Sequence, residues 1–539
     1  MKLARSDLRF LAVPLLFAAL SVWMTGVRGP YDLGLNLDPE YQYLLNMVSL
    51  ATGSPSAYVD HPGTPLQIIG AGVVLARWLV TAPWHGFAPL ADVVLGNSVL
   101  YLRTVNVVLV LLLVVVAFFA GRRVYHCSGS LGATLALQIT PLVYLTAVEA
   151  LPRVAPELVE VIVGLALAIP LAPLLVGDAP ERAAANPRLA LWAGALIGAG
   201  IATKANFFTL GLLVFLFAGW RQWARFTAAC GATLAVLLLP IATEWRQFIA
   251  WYLNMATHTG HYGKGQAGLP TLAAYRASLV QVYENEPFVF YFAALYLLVL
   301  VAVLIGARQL GRGRASLYRK ALVLAPLIIA LHALITAKHF NYHYVLPAAM
   351  LTALINGMLV YLLETTRFAK HWKTVVVAAA LLVGYEGLRG NYFRIAWYDG
   401  WKSEYKQQIA AVTRERAKLG DCRVAGFFRS SAPGFALSIG NVMSACRHQA
   451  ALERLDPGGF QYSTFEHKFQ RWDCGSADQE VRRLLEQGAC VVLQGEVVNR
   501  DQVIGFTLEP VYVPRKLVHG SEGLYRVLLP ESEPAAPGV

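Results

Sequence analysis

The chain has 539 residues, of which 56% are hydrophobic and 14% charged, and its formal net charge is +12. Its mean hydropathy is +0.50. Soluble proteins carry about a quarter charged residues, so this composition excludes an ordinary soluble globular protein. The positive charge does not indicate nucleic-acid binding, because basic residues concentrate in short loops between apolar runs, at 122–126, 308–320 and 367–373. Short basic loops are typical of the cytoplasmic side of a membrane protein.

About twelve apolar segments follow one another along the chain, each close to the length of a bilayer-spanning helix. They lie at 9–27, 66–82, 104–121, 131–148, 157–176, 189–203, 206–220, 226–243, 287–306, 321–337, 345–363 and 374–389. The first follows a basic stretch and precedes no clear small-residue cleavage site, so we expect a retained helix with a cytoplasmic N-terminus. The sequence therefore predicts a polytopic α-helical membrane protein.

The basic loops also set the expected orientation of the chain. They place the polar stretches 28–65 and 244–286, and everything after about 390, outside the cytoplasm. An even number of crossings cannot satisfy both ends of the chain. We therefore expect a further crossing in the weakly apolar stretch APLADVVLGNSVLYL, residues 88–102, which gives about 12–13 transmembrane helices in all.

The polar C-terminal region predicts a small α/β domain. Helices are expected at 403–420 and 478–488, each followed by a strand, and YVPRKLVHG with GLYRVLLP predicts a closing hairpin. Four cysteines lie there, Cys422, Cys446, Cys474 and Cys490, and an exported domain would oxidise them in any of three pairings. We therefore predict a transmembrane domain over 1–390 and a soluble extracytoplasmic domain over 391–539.

The first external loop carries four candidate site residues, Asp38, Glu40, Asp60 and His61. The amphipathic stretch 41–53 predicts a helix along the membrane surface. The prolines of DHPGTPLQ then fix the start of the second membrane segment, because proline is tolerated in the first turn of a helix. The loop thus predicts acids held rigidly at the bilayer surface, although a solvated loop explains them equally well.

Lys204 lies between two apolar runs, where a lysine deep in the membrane costs about 2.5–3.5 kcal/mol. It indicates either a short exterior turn or a polar cavity with an anionic phosphate as natural partner. Upstream, Glu149, Arg153 and Glu157 are spaced four residues apart. This spacing would place them on one face of a continuous helix, but prolines interrupt the stretch. An ordinary interfacial salt-bridge cluster is the alternative interpretation.

Two further polar stretches hold candidate residues. KHFNYHYVLP, an external link between helices, supplies Lys338, His339, Tyr342 and His343, although an aromatic belt explains its tyrosines. The glycine-rich loop after His258 and His261 predicts a mobile lid. These two histidines have no apparent third ligand, which disfavours a metal site, and the chain has no P-loop, GxSxG or HExxH motif.

Together these motifs resemble the GT-C glycosyltransferases, closest to the bacterial enzymes related to protein O-mannosyltransferases and the lipid A aminoarabinose transferase. LDPEY matches the family's acidic loop after the first helix. DHPGTP matches its histidine- or lysine-proline motif, with Gly63 where a second proline is commonest. TKAN resembles the family's lysine-glycine turn, and KHFNYHYVLP its late arginine-tyrosine-rich link, with histidines in place of arginine.

The resemblance implies transfer of a sugar from a polyprenyl-phosphate donor to a lipid, glycan or protein acceptor. Asp38 would be the base that takes the acceptor proton, with Glu40 the alternative, while Lys204, Arg153 and Lys338 would be phosphate-side cations. The substrate and phosphate would be bound by Asp60, His61, Arg153, Glu157, Lys204, His258, His261, Lys338, His339, Tyr342 and His343. The sequence requires no cofactor, although a divalent metal could assist Asp38, as in some relatives. The expected location is the extracytoplasmic face of a bacterial inner membrane.

Two other functions remain open from the sequence. A transporter or flippase of lipid-linked sugars predicts charged residues within helices and paired broken helices. A non-catalytic membrane assembly subunit predicts that the loop acids are dispensable. The glycosyltransferase interpretation predicts instead that Asp38 and Lys204 share one external cavity.

Overall fold

The computed structural model describes residues 5–37, 40–61, 63–305, 312–365, 370–518 and 520–530. Within these ranges, seven helices are long and apolar enough to cross a membrane. They are Asp7–Arg28, Thr64–His85, Ser98–Ser128, Pro156–Leu175, Pro287–Ile305, Arg314–Lys338 and Tyr342–Thr365. The pair Gly219–Leu237 and Leu239–Thr257, bent by 70°, forms an eighth span if it is counted as one. The chain is thus a multi-pass α-helical membrane protein, as its composition predicts.

Three predicted segments fold into shorter apolar helices, Leu131–Val143, Pro187–Thr203 and Ala205–Leu216. Pro187–Thr203 has 17 residues, so it is about 26 Å long, slightly less than the bilayer core of about 30 Å. The last predicted segment lies in the helix Lys370–Ala417, whose 48 residues continue into the polar C-terminal region. Among the described residues, the spans thus number seven or eight by length and composition, because several other apolar segments fold into helices that are short or bent.

The expected crossing at 88–102 is wrong. The stretch forms the helix Leu90–Gly96, which has seven residues, and then the start of the separate helix Ser98–Ser128. Asn97 separates the two with a non-helical backbone of φ −129° and ψ 34°. A seven-residue helix is only about 10 Å long and cannot cross a bilayer.

The described chain divides into two compact units. The first comprises Met1–Thr25, Val59–Ile69 and Asn106–Arg394, and the second Gly26–Tyr58, Gly70–Val105 and Ile395–Val539. The remaining α-helices longer than one turn are Glu40–Ala51, Leu145–Ala150, Pro180–Ala184, Leu272–Asn285, Phe435–Val442, Gln449–Leu455 and Asp478–Glu486. Glu40–Ala51 forms a helix in the stretch where the sequence predicts one, and most of its residues are buried.

In the first unit, small residues allow two helices to pack closely. A Cβ atom added at Gly194 would lie 2.1 Å from the Phe226 carbonyl oxygen, and one added at Gly198 would lie 2.4 Å from that of Cys230. Close backbone approach through small residues is the usual way that membrane helices associate. This contact holds the helix Pro187–Thr203 against Gly219–Leu237, and Lys204 directly follows the first of these helices.

The second unit contains the predicted α/β region, now with its sheet. The strands are β1 Arg423–Gly426, β2 Phe460–Ser463, β3 Lys468–Arg471, β4 Val491–Glu496, β5 Thr507–Tyr512 and β6 Glu522–Leu528. One sheet has the order β1-β4-β6-β5, with β1 parallel to β4 and β6 antiparallel to both neighbours, while β2 and β3 form a hairpin. The closing hairpin exists, but its first strand lies earlier than YVPRKLVHG predicts.

Two disulfides join the four C-terminal cysteines. Cys422 pairs with Cys490, at the starts of the neighbouring strands β1 and β4, and Cys446 pairs with Cys474. Cys127 and Cys230, in the first unit, are free thiols. The structure thus selects one of the three pairings that the sequence leaves open.

Candidate functional site

The first unit contains a cavity of about 760 Å³. Its polar lining includes Asp60, His61 and Lys204, and Lys338 and His339 contribute from a second side. The rest of the lining is largely apolar and includes Phe208, Leu269, Leu272, Tyr275, Leu334 and Ile335. A cavity with a cation among its polar groups and long apolar walls suits an amphiphilic anion.

Lys204 lies at a helix end and its side chain is buried. The helix Pro187–Thr203 ends because Lys204 adopts an extended backbone, with φ −157° and ψ 128°. Its Nζ lies 2.6 Å from Oε1 of Glu157 and 4.7 Å from the ring centroid of Tyr344. The ion pair and the aromatic face compensate the charge for the loss of water, which would otherwise be costly.

Glu157 is the partner that gathers the predicted cations. It lies in the first turn of the helix Pro156–Ala166, where the helix dipole favours a negative charge. Nε2 of His343 lies 3.5 Å from the same carboxylate oxygen that contacts Lys204. Arg153, in the loop before this helix, interacts electrostatically with both Glu157 and His343. The structure therefore brings together Arg153, Glu157, Lys204 and His343, which the sequence singled out separately.

Asp60 and His61 reach the cavity because their segment is tied to the end of the Lys204 helix. The Gly63 amide donates to the Thr203 carbonyl at 3.2 Å, and the Thr64 hydroxyl donates to the Ala202 carbonyl at 3.3 Å. Gly63 has a φ of +54°, a conformation that proline cannot adopt, since its ring fixes φ near −65°. This explains the glycine at the position where the family that the motif resembles most often has proline.

Burial shifts the titration of both residues. It raises the pKa of Asp60 to about 6, against the opposing influence of Lys264. Burial and the positive charge of Lys204 lower the pKa of His61 to about 3, although Glu157 opposes this shift. His61 is therefore neutral at neutral pH and able to donate one N–H, while Asp60 changes charge in the mildly acidic range.

Lys338 and His339 hold one wall of the cavity. The Lys338 ammonium donates to the carbonyls of Met255, at 2.8 Å, and Ala256, at the C-terminal end of the helix Trp245–Thr257. The His339 ring nitrogens lie 2.7 Å from the Met255 carbonyl and 3.1 Å from that of Gly260. A cation at a helix C-terminus satisfies carbonyls that have no intrahelical partner. Lys338 thus caps the helix that precedes the glycine-rich loop, and His339 contacts the loop itself at Gly260. Their predicted contact with phosphate stays a prediction.

The other predicted residues lie at the edge of this arrangement. The Tyr342 ring is 5.5 Å from the ring of His343. His258 follows a helix end, with its Nδ1 2.9 Å from the Thr257 hydroxyl, and at His261 the structure describes only the backbone. Among the described residues, no three His, Cys, Asp or Glu side chains group closely enough to hold a metal ion.

The predicted base is Asp38, with Glu40 as the alternative. Asp38 lies outside the described residues, so the cavity that it is expected to share with Lys204 stays a prediction. Glu40, the alternative base, belongs to the second unit. It is buried, and its Oε1 lies 2.8 Å from Nη2 of Arg28.

Sequence reasoning missed Asn206 and Glu160 near the first-unit site, and it assigned no role to Tyr344. Asn206 lines the cavity and donates to the Tyr344 carbonyl at 2.9 Å, and Tyr344 supplies the aromatic face beneath Lys204. Both stand inside the motifs TKAN and KHFNYHYVLP, which were singled out for their charged members. Glu160, one turn after Glu157, is fully buried and its carboxylate oxygens have no hydrogen-bond partner among the described residues. An acid inside an apolar run was the available signal.

No protein-family model matches the sequence, and no curated protein is similar to it. The chain is similar to two solved structures, both of ArnT from Cupriavidus metallidurans. The structure bound to undecaprenyl phosphate has a TM-score of 0.49 and 11% sequence identity, over 95% of this chain and 97% of that chain. The apo structure has a TM-score of 0.46 and 12% identity over the same shares. ArnT is a lipid A aminoarabinose transferase with the GT-C fold, the family that the sequence motifs resemble.

Proposed function

We propose that this protein is a membrane glycosyltransferase that moves a sugar from a polyprenyl-phosphate donor to an acceptor at the extracytoplasmic membrane face. The observation that carries the proposal is the cavity around Lys204. A buried cation at a membrane-helix end, beside a large and mostly apolar cavity, fits a lipid chain with a phosphate at its head.

The cluster beside the cavity supports a phosphate rather than a neutral head group. Lys204, Arg153 and Lys338 carry three positive charges, and Glu157 and Asp60 carry two negative charges at neutral pH. These five groups therefore leave a net charge of about +1. Because Lys204 already contacts Glu157 at 2.6 Å, its position is fixed before a ligand arrives. A preorganised cation stabilises developing charge without the cost of reorganising during the reaction.

The proposed reaction is a substitution at the anomeric carbon of the donor. The acceptor oxygen forms a bond to this carbon, and the bond from the carbon to the phosphate oxygen breaks. The phosphate leaves with the bonding electron pair, and the additional charge is stabilised by Lys204 and Arg153. The proton of the acceptor passes to a general base, the role that the sequence assigns to Asp38, with Glu40 as alternative. His61, neutral at neutral pH, is suited to donate a hydrogen bond to the phosphate.

The two disulfides support an extracytoplasmic position of the C-terminal region in a bacterial inner-membrane protein. Disulfides form and persist in oxidising compartments and are rare in the cytosol. Both of them lie in the C-terminal region, and the first-unit cysteines are unpaired.

The direct test uses the purified full chain in lipid nanodiscs with a panel of polyprenyl-phosphate sugars and an envelope extract as acceptor. We expect release of polyprenyl phosphate together with labelled product from at least one donor. A parallel assay in sealed vesicles measures movement of the intact donor between leaflets. Movement of intact donor without release of polyprenyl phosphate would instead support a flippase, and inactivity in both assays would favour an assembly subunit.

A further inference from the structure

A buried carboxylate in the second unit receives an unusual number of hydrogen bonds. Glu522 begins β6 and is fully buried. Its Oε1 accepts from the Ser431 amide at 2.9 Å, from the Ser431 hydroxyl and from the Tyr405 hydroxyl, and its Oε2 accepts from Nε2 of Gln494 at 2.8 Å. A buried charge needs such compensation, and a fully satisfied network fixes a single arrangement of its members.

The network reaches beyond the α/β region to the first external loop. The Ser431 hydroxyl accepts a hydrogen bond from the Gly34 amide at 2.8 Å, and the Tyr405 hydroxyl accepts one from the Leu35 amide at 3.2 Å. A hydroxyl has one proton to donate. Because Glu522 takes that proton from both hydroxyls, their lone pairs are left for the two backbone amides. The carboxylate therefore makes both hydroxyls hydrogen-bond acceptors toward the Gly34 and Leu35 amides.

The loop also approaches this network too closely for a side chain at residue 34. A Cβ atom added at Gly34 would lie 2.3 Å from the Arg429 carbonyl oxygen and 2.6 Å from Oε1 of Glu522. Any larger residue would push the loop away, so glycine is required by close approach rather than by backbone conformation.

Asn36 and Glu40, which follow in the chain, are also held by polar contacts. The Asn36 side chain donates to the carbonyls of Arg28, at 3.0 Å, and Pro30, at 2.8 Å, and it accepts from the ammonium of Lys402. Glu40 is held by Arg28. The described residues on both sides of position 38 are thus fixed by buried polar contacts, several of which come from the C-terminal region.

We propose that Glu522 is a positioning residue, which acts through Tyr405 and Ser431 to hold residues 34–36, the described residues that precede the predicted base. The inference rests on the proposed function, in which Asp38 takes the acceptor proton. It assigns the C-terminal region a role in the reaction rather than in partner binding. A shift of about 1 Å in a reacting group can cost about 10²-fold in rate, which sets the scale of the expected effect.

The test compares wild type with Glu522→Ala, Tyr405→Phe and Ser431→Ala as full chains in nanodiscs. Two quantities are measured: hydrogen exchange of the peptide that contains the amides of residues 34 and 35, and steady-state turnover of the donor. Glu509→Ala is the matched control, since Glu509 is an exposed acid on β5, adjacent to β6, paired with Arg526. Tyr405→Phe and Ser431→Ala leave the carboxylate in place, so they remain informative if Glu522→Ala fails to fold.

We expect faster exchange at residues 34 and 35 and a fall in kcat of about 10²-fold, with the donor KM within about threefold of wild type because the cavity is unchanged. Tyr405→Phe and Ser431→Ala should show smaller effects of the same kind, and Glu509→Ala should show neither. Unchanged exchange, or faster exchange with full kcat, would overturn the inference. Inactivity of wild type itself would instead remove the proposed function, and the exchange data would still decide whether Glu522 holds the loop.

Discussion

Lys204 and Glu157 form the charged centre of the candidate site. They lie 47 residues apart in sequence, and their side chains approach within 2.6 Å in an otherwise apolar environment. Removing one partner of a buried ion pair leaves an uncompensated charge, which costs about 3–5 kcal/mol, whereas removing both costs much less. The pair is therefore expected to behave as a unit in stability as well as in catalysis.

We predict that Glu157→Gln destabilises the protein by about 3 kcal/mol, because Lys204 then remains buried without its counter-ion. The double variant Glu157→Gln with Lys204→Met should recover most of this loss. Chemical unfolding of the full chain in mild detergent measures the free energies, and the double-mutant cycle gives the coupling. Independent, additive effects of the two substitutions would contradict the assigned ion pair.

Asp60 predicts a pH dependence of donor binding. Burial raises its pKa from the ordinary value of 3.8 to about 6, so the folded protein holds this proton more tightly than the unfolded chain. Its contribution to stability is therefore fully present below about pH 4 and is lost as the pH rises through about 6. Above pH 6 its negative charge lines the cavity and opposes an anionic ligand.

We therefore expect the affinity for a polyprenyl-phosphate sugar to fall as the pH rises through about 6. The phosphodiester of this donor does not titrate in that range, so the step belongs to the protein. Asp60→Asn should bind the donor with the same high affinity below and above pH 6, as measured by fluorescence titration in nanodiscs. A step of the same size in Asp60→Asn would show that another group is responsible.

At the level of single residues, the sequence singled out candidate groups but did not show how they pair. Lys204, His61 and His343 stand out because titratable groups are rare beside membrane helices. The contact of Lys204 with Glu157, and the aromatic face of Tyr344, depend on how distant helices pack, which no local pattern contains. Gly63 is a further case, because its positive φ is visible only in the structure.

At the level of elements, the close contact between two helices positions Lys204. Gly194 lets the helix Pro187–Thr203 approach Gly219–Leu237 until a Cβ atom would overlap the Phe226 carbonyl. Gly231 lies on the second of these helices, and a Cβ atom added there meets nothing within 4 Å. The two glycines are therefore a matched pair for testing the contact.

We predict that Gly194→Val destabilises the protein by about 1–3 kcal/mol, the usual cost of overpacking, and weakens donor binding by moving the end of the helix before Lys204. Gly231→Val should leave both unchanged apart from a small propensity effect. Thermal unfolding and donor titration measure the two quantities. Equal effects of the two substitutions would show that the close contact does not position the site.

Element type was predictable from hydropathy, whereas element length was not. The apolar segments fold as helices, yet the stretch 88–102 was wrongly expected to cross the membrane. The average hydropathy of this stretch gives no sign of the break at Asn97, where the backbone leaves the helical conformation. A break of one residue is a local conformational event that a window average cannot show.

At the level of the whole molecule, the two units differ in their covalent chemistry. The second unit contains both disulfides, and the first contains the free thiols Cys127 and Cys230. The sequence predicted oxidation of the four C-terminal cysteines, but it could not select a pairing. The choice depends on β1 and β4 being neighbours in the sheet, which brings Cys422 and Cys490 together.

We predict that protein isolated from membranes contains the linked peptides Cys422–Cys490 and Cys446–Cys474, while Cys127 and Cys230 react with a thiol reagent after denaturation. Proteolysis without reduction, followed by mass spectrometry, identifies the links. Expression in the same cells with the thiol-oxidation pathway disabled is the control. Free thiols at all four C-terminal positions would contradict an extracytoplasmic C-terminal region.

The central claim is that the Lys204 cavity binds the donor phosphate and promotes its departure. Its most direct test is single-turnover release of polyprenyl phosphate from an accepted donor by wild type, Lys204→Met and Lys320→Met, the last an exposed lysine outside the cavity. The account predicts a fall of about 10²–10³-fold in release for Lys204→Met, the usual effect of removing one group that stabilises developing charge, and release within about twofold of wild type for Lys320→Met. Release by folded Lys204→Met at the wild-type rate would contradict the account.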